Sequence, residues 1–353
     1  MKTQMGIVFA FFVASLYAGG TARIGVKVVE SETGEPISKI KVYGGFRNYS
    51  RGWGIASKDN SDDGVTDRDG FCRLSGRTEA GHACCIARGN AGYYDSGWYS
   101  FDYVERSMLK FGRWLPDDVV VTVRLDRVVN PIPLYVKKSV GAYREKNIAN
   151  HRIFEKDRDL SETNRVPVVR NALLAYDMVK GDWLPPHGNG ESCDIQFVFN
   201  ETVLGWKKGR GYDGVSMSKK YKMTMSVSMA GEGNGLVEVP TSENAGIKLR
   251  VAPSGGYVGK LTRWLGWFGG GDGEKTDGDR NRCYAFRIRT VYDDEGNIKS
   301  AYYGKVYGDF DMSGSNGVGF LYYLNLKSND RNLEWDRQNN LCPRPGFIGD
   351  PKP

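Results

Sequence analysis

The stretch from Asp63 to Gly76, D-G-V-T-D-R-D-G-F-C-R-L-S-G, restricts the fold more than any other part of the chain. Its Gly and Asp residues make a tight turn, and the turn delivers an alternating run. Phe71, Arg73 and Ser75 fall on one side, Cys72 and Leu74 on the other, the pattern of a half-buried strand. A longer alternation runs from Tyr221 to Met229, where Tyr221, Met223, Met225, Val227 and Met229 oppose Lys222, Thr224, Ser226 and Ser228. With 46 Gly, 20 Tyr and 8 Trp, and charged residues at 26%, the composition favours turn-rich β structure over helical bundles or disorder. The 353 residues suffice for two domains with real cores.

The amino terminus reads as an export signal over residues 1–22. Lys2 precedes an apolar run from Met5 to Tyr17, which is followed by the small residues Ala18 to Ala22. That run is too short to span a bilayer, so we expect no transmembrane anchor in the mature chain and a secreted, periplasmic or cell-surface location. The formal charge of +7 is spread along the chain without a basic stripe, which argues against nucleic acid as a partner. Six Cys, at 72, 84, 85, 193, 283 and 342, fit an oxidising compartment and are disulfide candidates. Cys72 can meet Cys84 or Cys85 across a short turn; the remaining thiols bridge between domains or stay free.

Arg23 to Glu30 alternates as a strand, S-E-T-G-E-P supplies a turn, and Ile37 to Val42 alternates again. The order G-V-K-V-V-E-S-E-T-G-E-P-I-S-K-I-K-V, then G-V-T-D-R-D-G-F, then a strand ending near G-Y-Y-D, resembles the carboxypeptidase regulatory-like family. The likeness covers about residues 23 to 127, with Val119 to Leu125 as its closing strand. It implies a small prealbumin-like β-sandwich that serves as an accessory module, and implies no activity. The insertion from Arg47 to Asp63 and the Cys84-Cys85 pair depart from the family pattern.

Two segments match the first half of a calcium loop: Asp59, Ser61, Asp63 and Gly64, and Asp309, Asp311, Ser313 and Gly314. Each lacks the bidentate Glu at loop position twelve, where Gly70 and Phe320 stand, so calcium is a candidate cofactor only at Asp59, Asp63, Asp309 and Asp311. Adjacent Cys84 and Cys85 point to opposite faces of a strand, which disfavours zinc.

From Lys137 to Arg170 both signs of charge alternate with sparse apolar positions, a solvated connector. We therefore expect a first domain over 23–136, the connector over 137–170 and a second domain over 171–353. In that second domain, apolar runs from Ala172 to Val179 and Ile195 to Leu204 flank the loop D-W-L-P-P-H-G-N-G. Leu236 to Val239, Ile247 to Val251, Cys283 to Tyr292, Ile298 to Tyr307 and Gly319 to Leu326 read as strands, and D-D-E-G-N joins a hairpin. The expected fold is mostly β: two β-sandwich domains, the second jelly-roll-like or Ig-like. Val258, Leu261, Trp264, Leu265 and Phe268 fall at helical spacing and suggest a short amphipathic helix.

No H-E-x-x-H or H-x-x-E spacing accompanies His82, His151 or His187, and neither a G-x-S-x-G elbow nor a phosphate-binding Gly-rich loop occurs. The sequence therefore points to an exported, non-catalytic binding protein. Trp183, Trp264 and Trp267 are the candidates for stacking on a glycan. The alternative is a structural or assembly component of the cell envelope with protein partners. A glycan-active hydrolase using carboxylates that sequence cannot pair stays open as a third class.

Overall fold

A computed structural model describes residues 19–48, 52–53, 60–79, 81–90, 92–102, 109–140, 173–185, 187–211, 214–239, 245–269, 273–279, 281–313 and 317–343. The chain divides into two compact units, Met1–Val129 and Asn130–Pro353.

Ten strands build the first unit: β1 (Gly20–Glu30), β2 (Lys41–Asn48), β3 (Gly52–Trp53), β4 (Ser61–Val65), β5 (Phe71–Thr78), β6 (His82–Arg88), β7 (Tyr99–Asp102), β8 (Leu109–Lys110), β9 (Arg113–Trp114) and β10 (Val119–Leu125). They form two five-stranded sheets, one centred on β1 and the other on β2. Ile24, Val26, Leu74 and Val123 of the first sheet and Val42, Phe46, Ala83 and Cys85 of the second share one core, so the unit is a β-sandwich. The Asp-Gly turn ahead of β5 is built as its composition requires. Asp67 Oδ1 accepts from the amides of Asp69 and Phe71, both at 2.9 Å, and Gly70 takes φ +71. Cys72 and Leu74 then point inward, and Gly76 lets the Phe46 ring lie against the backbone: a Cβ there would fall 2.0 Å from the ring.

The strand expected over Ile37 to Val42 begins only at Lys41. Thr66 Oγ1 donates to Ile37 O at 2.8 Å and accepts from Ile40 N at 2.9 Å, and Lys39 takes φ +60, so this segment is pinned as a bend.

The second unit contains β11 (Ile132–Val140), β12 (Leu173–Asp177), β13 (Asp182–Trp183), β14 (Ile195–Gly211), β15 (Gly214–Met229), β16 (Gly235–Val239), one helical turn α1 (Ala245–Lys248), β17 (Lys260–Trp267), β18 (Lys275–Thr276), β19 (Cys283–Tyr292), β20 (Ile298–Ser313), β21 (Gly317–Asn325) and β22 (Trp335–Asn340). Two six-stranded sheets result, in the orders β16-β19-β20-β21-β11-β22 and β13-β12-β14-β15-β17-β18. Tyr284, Phe286, Phe320 and Tyr322 of one sheet pack with Phe197, Met223, Met225 and Leu265 of the other in a single core. The reverse face of the first sheet is also covered, by Leu249, Ala252 and Leu333 over Cys283, Ala285 and Tyr303. Burial on both faces explains the run of consecutive buried residues at Cys283 to Phe286.

Three further segments differ from the sequence reading. Residues 132–136, assigned by sequence to the first domain, lie on β11, which pairs with β21 and β22 of the second unit. Most of the expected connector, residues 141–170, lies outside the described residues, as does the expected export signal up to residue 18. Ile247 to Val251 is no strand: α1 covers its start, and Val251 makes only an isolated bridge to Asn332. The amphipathic helix expected around Trp264 is instead β17, antiparallel to β15 from Tyr221↔Trp267 to Ser228↔Lys260. A paired strand edge offers this segment eight residues of ladder, which outweighs the propensity of a short isolated helix.

Candidate functional site

The strand geometry of β17 decides what its two tryptophans can do. Residues three apart on a strand face opposite ways, so Trp264 and Trp267 do not share a platform. Trp264 lies with Lys222, Thr224 and Thr262 on the outward face, opposite the side that buries Leu265. Lys222 Nζ sits 5.3 Å from the Trp264 ring centroid, and Phe268 meets that ring edge-on at 6.3 Å. Trp267 carries Lys207 Nζ at 6.0 Å from its ring. Trp183 is 6% exposed and packs into the core against Tyr176 and Phe197, at 4.9 and 6.0 Å between ring centroids. The three candidate rings therefore lie in three different settings.

The main feature of this sheet is its central hairpin. β14 and β15 are 17 and 16 residues long, but β12 accompanies β14 only over Leu173↔Val198 to Tyr176↔Ile195, and β17 accompanies β15 only as far as Tyr221. A bulge at Gly205, φ +131, marks the departure. Beyond it seven residue pairs, Gly205↔Lys220 to Gly211↔Gly214, have only each other as ladder partners among the described residues. That ribbon extends about 20 Å. Its root is held by Lys207 Nζ, which donates to Gly269 O at 2.5 Å, and by Tyr221, whose hydroxyl bonds Glu274. The sequence places Lys or Arg at 207, 208, 210, 219, 220 and 222 on and beside it.

The acidic residues that could do chemistry are clamped. Asp309 accepts from Tyr284 Oη at 2.7 Å, Phe310 N at 2.9 Å, Asp279 N at 3.1 Å and Arg263 Nε at 3.3 Å, and it also pairs with Arg282. Glu238 joins both arginines, at 2.8 and 2.9 Å. Burial opposes the charge on Arg263, but the hydrogen bond to Tyr284 and the charges of Asp309 and Glu238 outweigh it and hold the guanidinium above its ordinary range. A carboxylate so occupied has little left to offer a cation. Asp63 is exposed and pairs with Lys41 at 3.6 Å, Asp311 is exposed on β20, and Asp59 lies outside the described residues. No group of three or more His, Cys, Asp or Glu among the described residues converges to hold a metal.

A second clamp fixes the D-W-L-P-P-H-G-N-G loop. Arg289 donates to Asp177 at 2.7 Å and to Asp194 at 2.9 and 3.0 Å, and both carboxylates are buried. Asp177 also accepts from the amides of Val179, Lys180, Glu191 and Ser192. Burial pushes Asp177 up, yet those amides and Arg289 together leave its pKa below the ordinary value. For Asp194 burial prevails over Arg289, and its pKa is raised. The pair shares one guanidinium inside the protein, an arrangement that shapes a loop and does not suit proton transfer to a substrate.

Lys305 has no accessible surface. Its ammonium donates to Gly246 O at 2.7 Å and Leu249 O at 3.4 Å, lies 5.1 Å from the Tyr323 ring, and is brought by burial down to a pKa of about 8.

The cysteines differ from the disulfide expectation: none of Cys72, Cys84, Cys85, Cys193, Cys283 and Cys342 is bridged. Cys84 and Cys85 are neighbours on β6 and face opposite ways, while Cys72 stands on β5 in the other sheet. Burial pushes the Cys72 and Cys85 thiols up to about 11 and about 12. His82 Nδ1 pairs with Asp102, the His187 amide donates to Leu184 O at 2.9 Å, and His151 lies outside the described residues.

A scan against protein-family models found no match, and a search of curated proteins found none. Among solved structures, the chain is similar to the 3-chlorocatechol 1,2-dioxygenase from Rhodococcus opacus 1CP, at 12% identity over 32% of this chain and 62% of that one, with a TM-score of 0.24. It is similar to the shaft pilin SpaA from Lactobacillus rhamnosus GG, at 8% identity over 61% and 90%, with a TM-score of 0.20. It is also similar to BcpA, the major pilin subunit of Bacillus cereus, at 10% identity over 85% and 95%, with a TM-score of 0.19. The chain thus spans under two thirds of the dioxygenase. Scores at this level carry no argument about function, which rests on the geometry above.

Proposed function

We propose that this chain is an exported, non-catalytic structural or assembly component of the cell envelope, and that its second unit meets a partner protein through the β14–β15 ribbon. The observation that carries this reading is the ribbon itself. A two-stranded hairpin alone is marginally stable in water, and its open edges invite pairing with another chain. Seven residue pairs held out beyond the sheet are accounted for most simply by a partner that covers them. Supporting it, the acidic clusters that enzymatic readings need, at Asp309 and at Asp177 with Asp194, are closed by arginines. A stacked glycan is the weaker reading, since Trp183 is buried and Trp264 and Trp267 face opposite ways. For the first unit we keep the carboxypeptidase regulatory-like assignment as an accessory sandwich.

Amine cross-linking in intact envelopes tests the proposal. Lys207 and Lys220 at the ribbon should give cross-links to another polypeptide, while exposed Lys27 on β1 should give none. Equal yields from Lys27 and the ribbon lysines, or no link from the ribbon, would overturn it.

A further inference from the structure

In the first unit the chain reverses between β8 and β9 in two residues, Phe111 and Gly112. Both have positive φ, +50 and +74, as in a type I′ hairpin. That turn favours Asn-Gly or Asp-Gly, because most side chains in the left-handed region crowd their own carbonyl. Phenylalanine is an unfavourable choice there, and its side chain is fully exposed, at 105%. Two unfavourable features at one residue call for a compensating contact.

The hairpin holds this ring on a fixed base. Trp114, three residues on, is 1% exposed, and its Nε1 donates to Thr78 O at 3.0 Å. Thr21 N donates to Gly112 O at 2.8 Å, and Leu109 lies so close to Gly20 that a Cβ there would be 2.2 Å from Leu109 Cδ1. Lys110 and Arg113 flank the ring and are both exposed, and Arg113 makes a long ion pair with Asp117, at 4.0 Å. The result is a convex apolar tip with a cationic collar.

We propose that the β8–β9 hairpin docks the first unit onto an anionic lipid surface, with Phe111 entering the acyl boundary and Lys110 and Arg113 level with the headgroup phosphates. The depth order matches a bilayer, apolar at the tip and cationic behind it. A bilayer also accepts a convex tip without a preformed pocket. A protein pocket for the same ring would need a rim of further contacts, whereas Lys110, Gly112 and Arg113 offer the tip only charge or bare backbone.

The test compares the purified exported protein with its Phe111→Asn variant by co-sedimentation with vesicles of phosphatidylcholine containing 30% phosphatidylglycerol, and with phosphatidylcholine alone. Asn suits the turn, so the variant should melt at or above the wild-type temperature, which separates lost binding from lost folding. The expected result is binding to the anionic vesicles only, weakened ~10- to 100-fold by Phe111→Asn. Neutralising one of the collar cations, as in Lys110→Gln, should weaken it ~5-fold. Equal partitioning of the wild type and Phe111→Asn, or no binding of the wild type to anionic vesicles, would overturn the proposal.

Discussion

Replacing Lys305 by Met exposes the pH dependence that a buried ammonium imposes on stability. In the folded protein Lys305 titrates at about 8, and in the unfolded chain it returns to its ordinary value of 10.5. Between those values the unfolded chain binds more protons than the folded one, so stability rises with pH. Below about 8 the folded protein carries the charged form and the cost of burying it in full; above 10.5 that cost is gone. A gap of about 2.5 pH units at about 1.4 kcal/mol each amounts to roughly 3 kcal/mol. Urea unfolding followed by tryptophan fluorescence, under reductant and in steps from pH 7 to 10.5, measures wild type and Lys305→Met side by side. Other tyrosines and thiols titrate in both proteins and largely cancel in the difference. Wild-type stability should climb relative to the variant by roughly 3 kcal/mol across the window. A flat difference, or a wild type that loses ground as the pH rises, would refute the burial argument.

Other outcomes follow from the same contacts. Asp309→Ala takes the buried carboxylate from Arg263 and Arg282 and leaves them the half-exposed Glu238, and urea unfolding should show a loss of about 1.5 to 3 kcal/mol. Gly76→Ala drives a methyl to within 2.0 Å of the Phe46 ring, so the first unit should lose about 1 to 3 kcal/mol, read as a lower unfolding midpoint. Among the thiols, half-buried Cys193 should alkylate first in the native protein at pH 8, with Cys72 and Cys85 reacting only on unfolding, as peptide mass mapping would show.

The parts of the fold that were legible in sequence are those where one face is wet and one is dry. β5 and β15 show their period openly, and the Asp293–Asn297 turn follows from its composition: Asp293 Oδ1 takes the amides of Glu295 and Asn297 at 3.1 and 2.8 Å. β17 imitates a helix in sequence because it carries bulky residues on both faces. Leu261, Trp264 and Leu265 then fall at helical spacing by coincidence, while Val258 and Phe268, which completed the pattern, are exposed. The clamps could not be read at all, since Arg289 and Asp194 are 95 residues apart and Arg263 and Asp309 are 46 apart. The sequence does carry one signal of a buried charge: Lys305 stands in phase with buried Ala301 and Tyr303, where the alternation calls for an apolar residue. The length of the β14–β15 ribbon is also hard to read in sequence, because Lys219 interrupts the alternation of Val215, Met217 and Tyr221, and the facing run from Gly205 to Gly211 offers Trp206 as its one large apolar residue.

Amide hydrogen exchange on the ribbon tests the central claim most directly. In the isolated protein, amides of residues 205–211 and 214–220 should exchange far faster than those of 221–228, which β17 covers. Added envelope extract should slow the ribbon amides while leaving 221–228 unchanged, as expected if a partner completes the sheet. Ribbon amides that are already as slow as the covered segment, or that stay fast when extract is present, would contradict it.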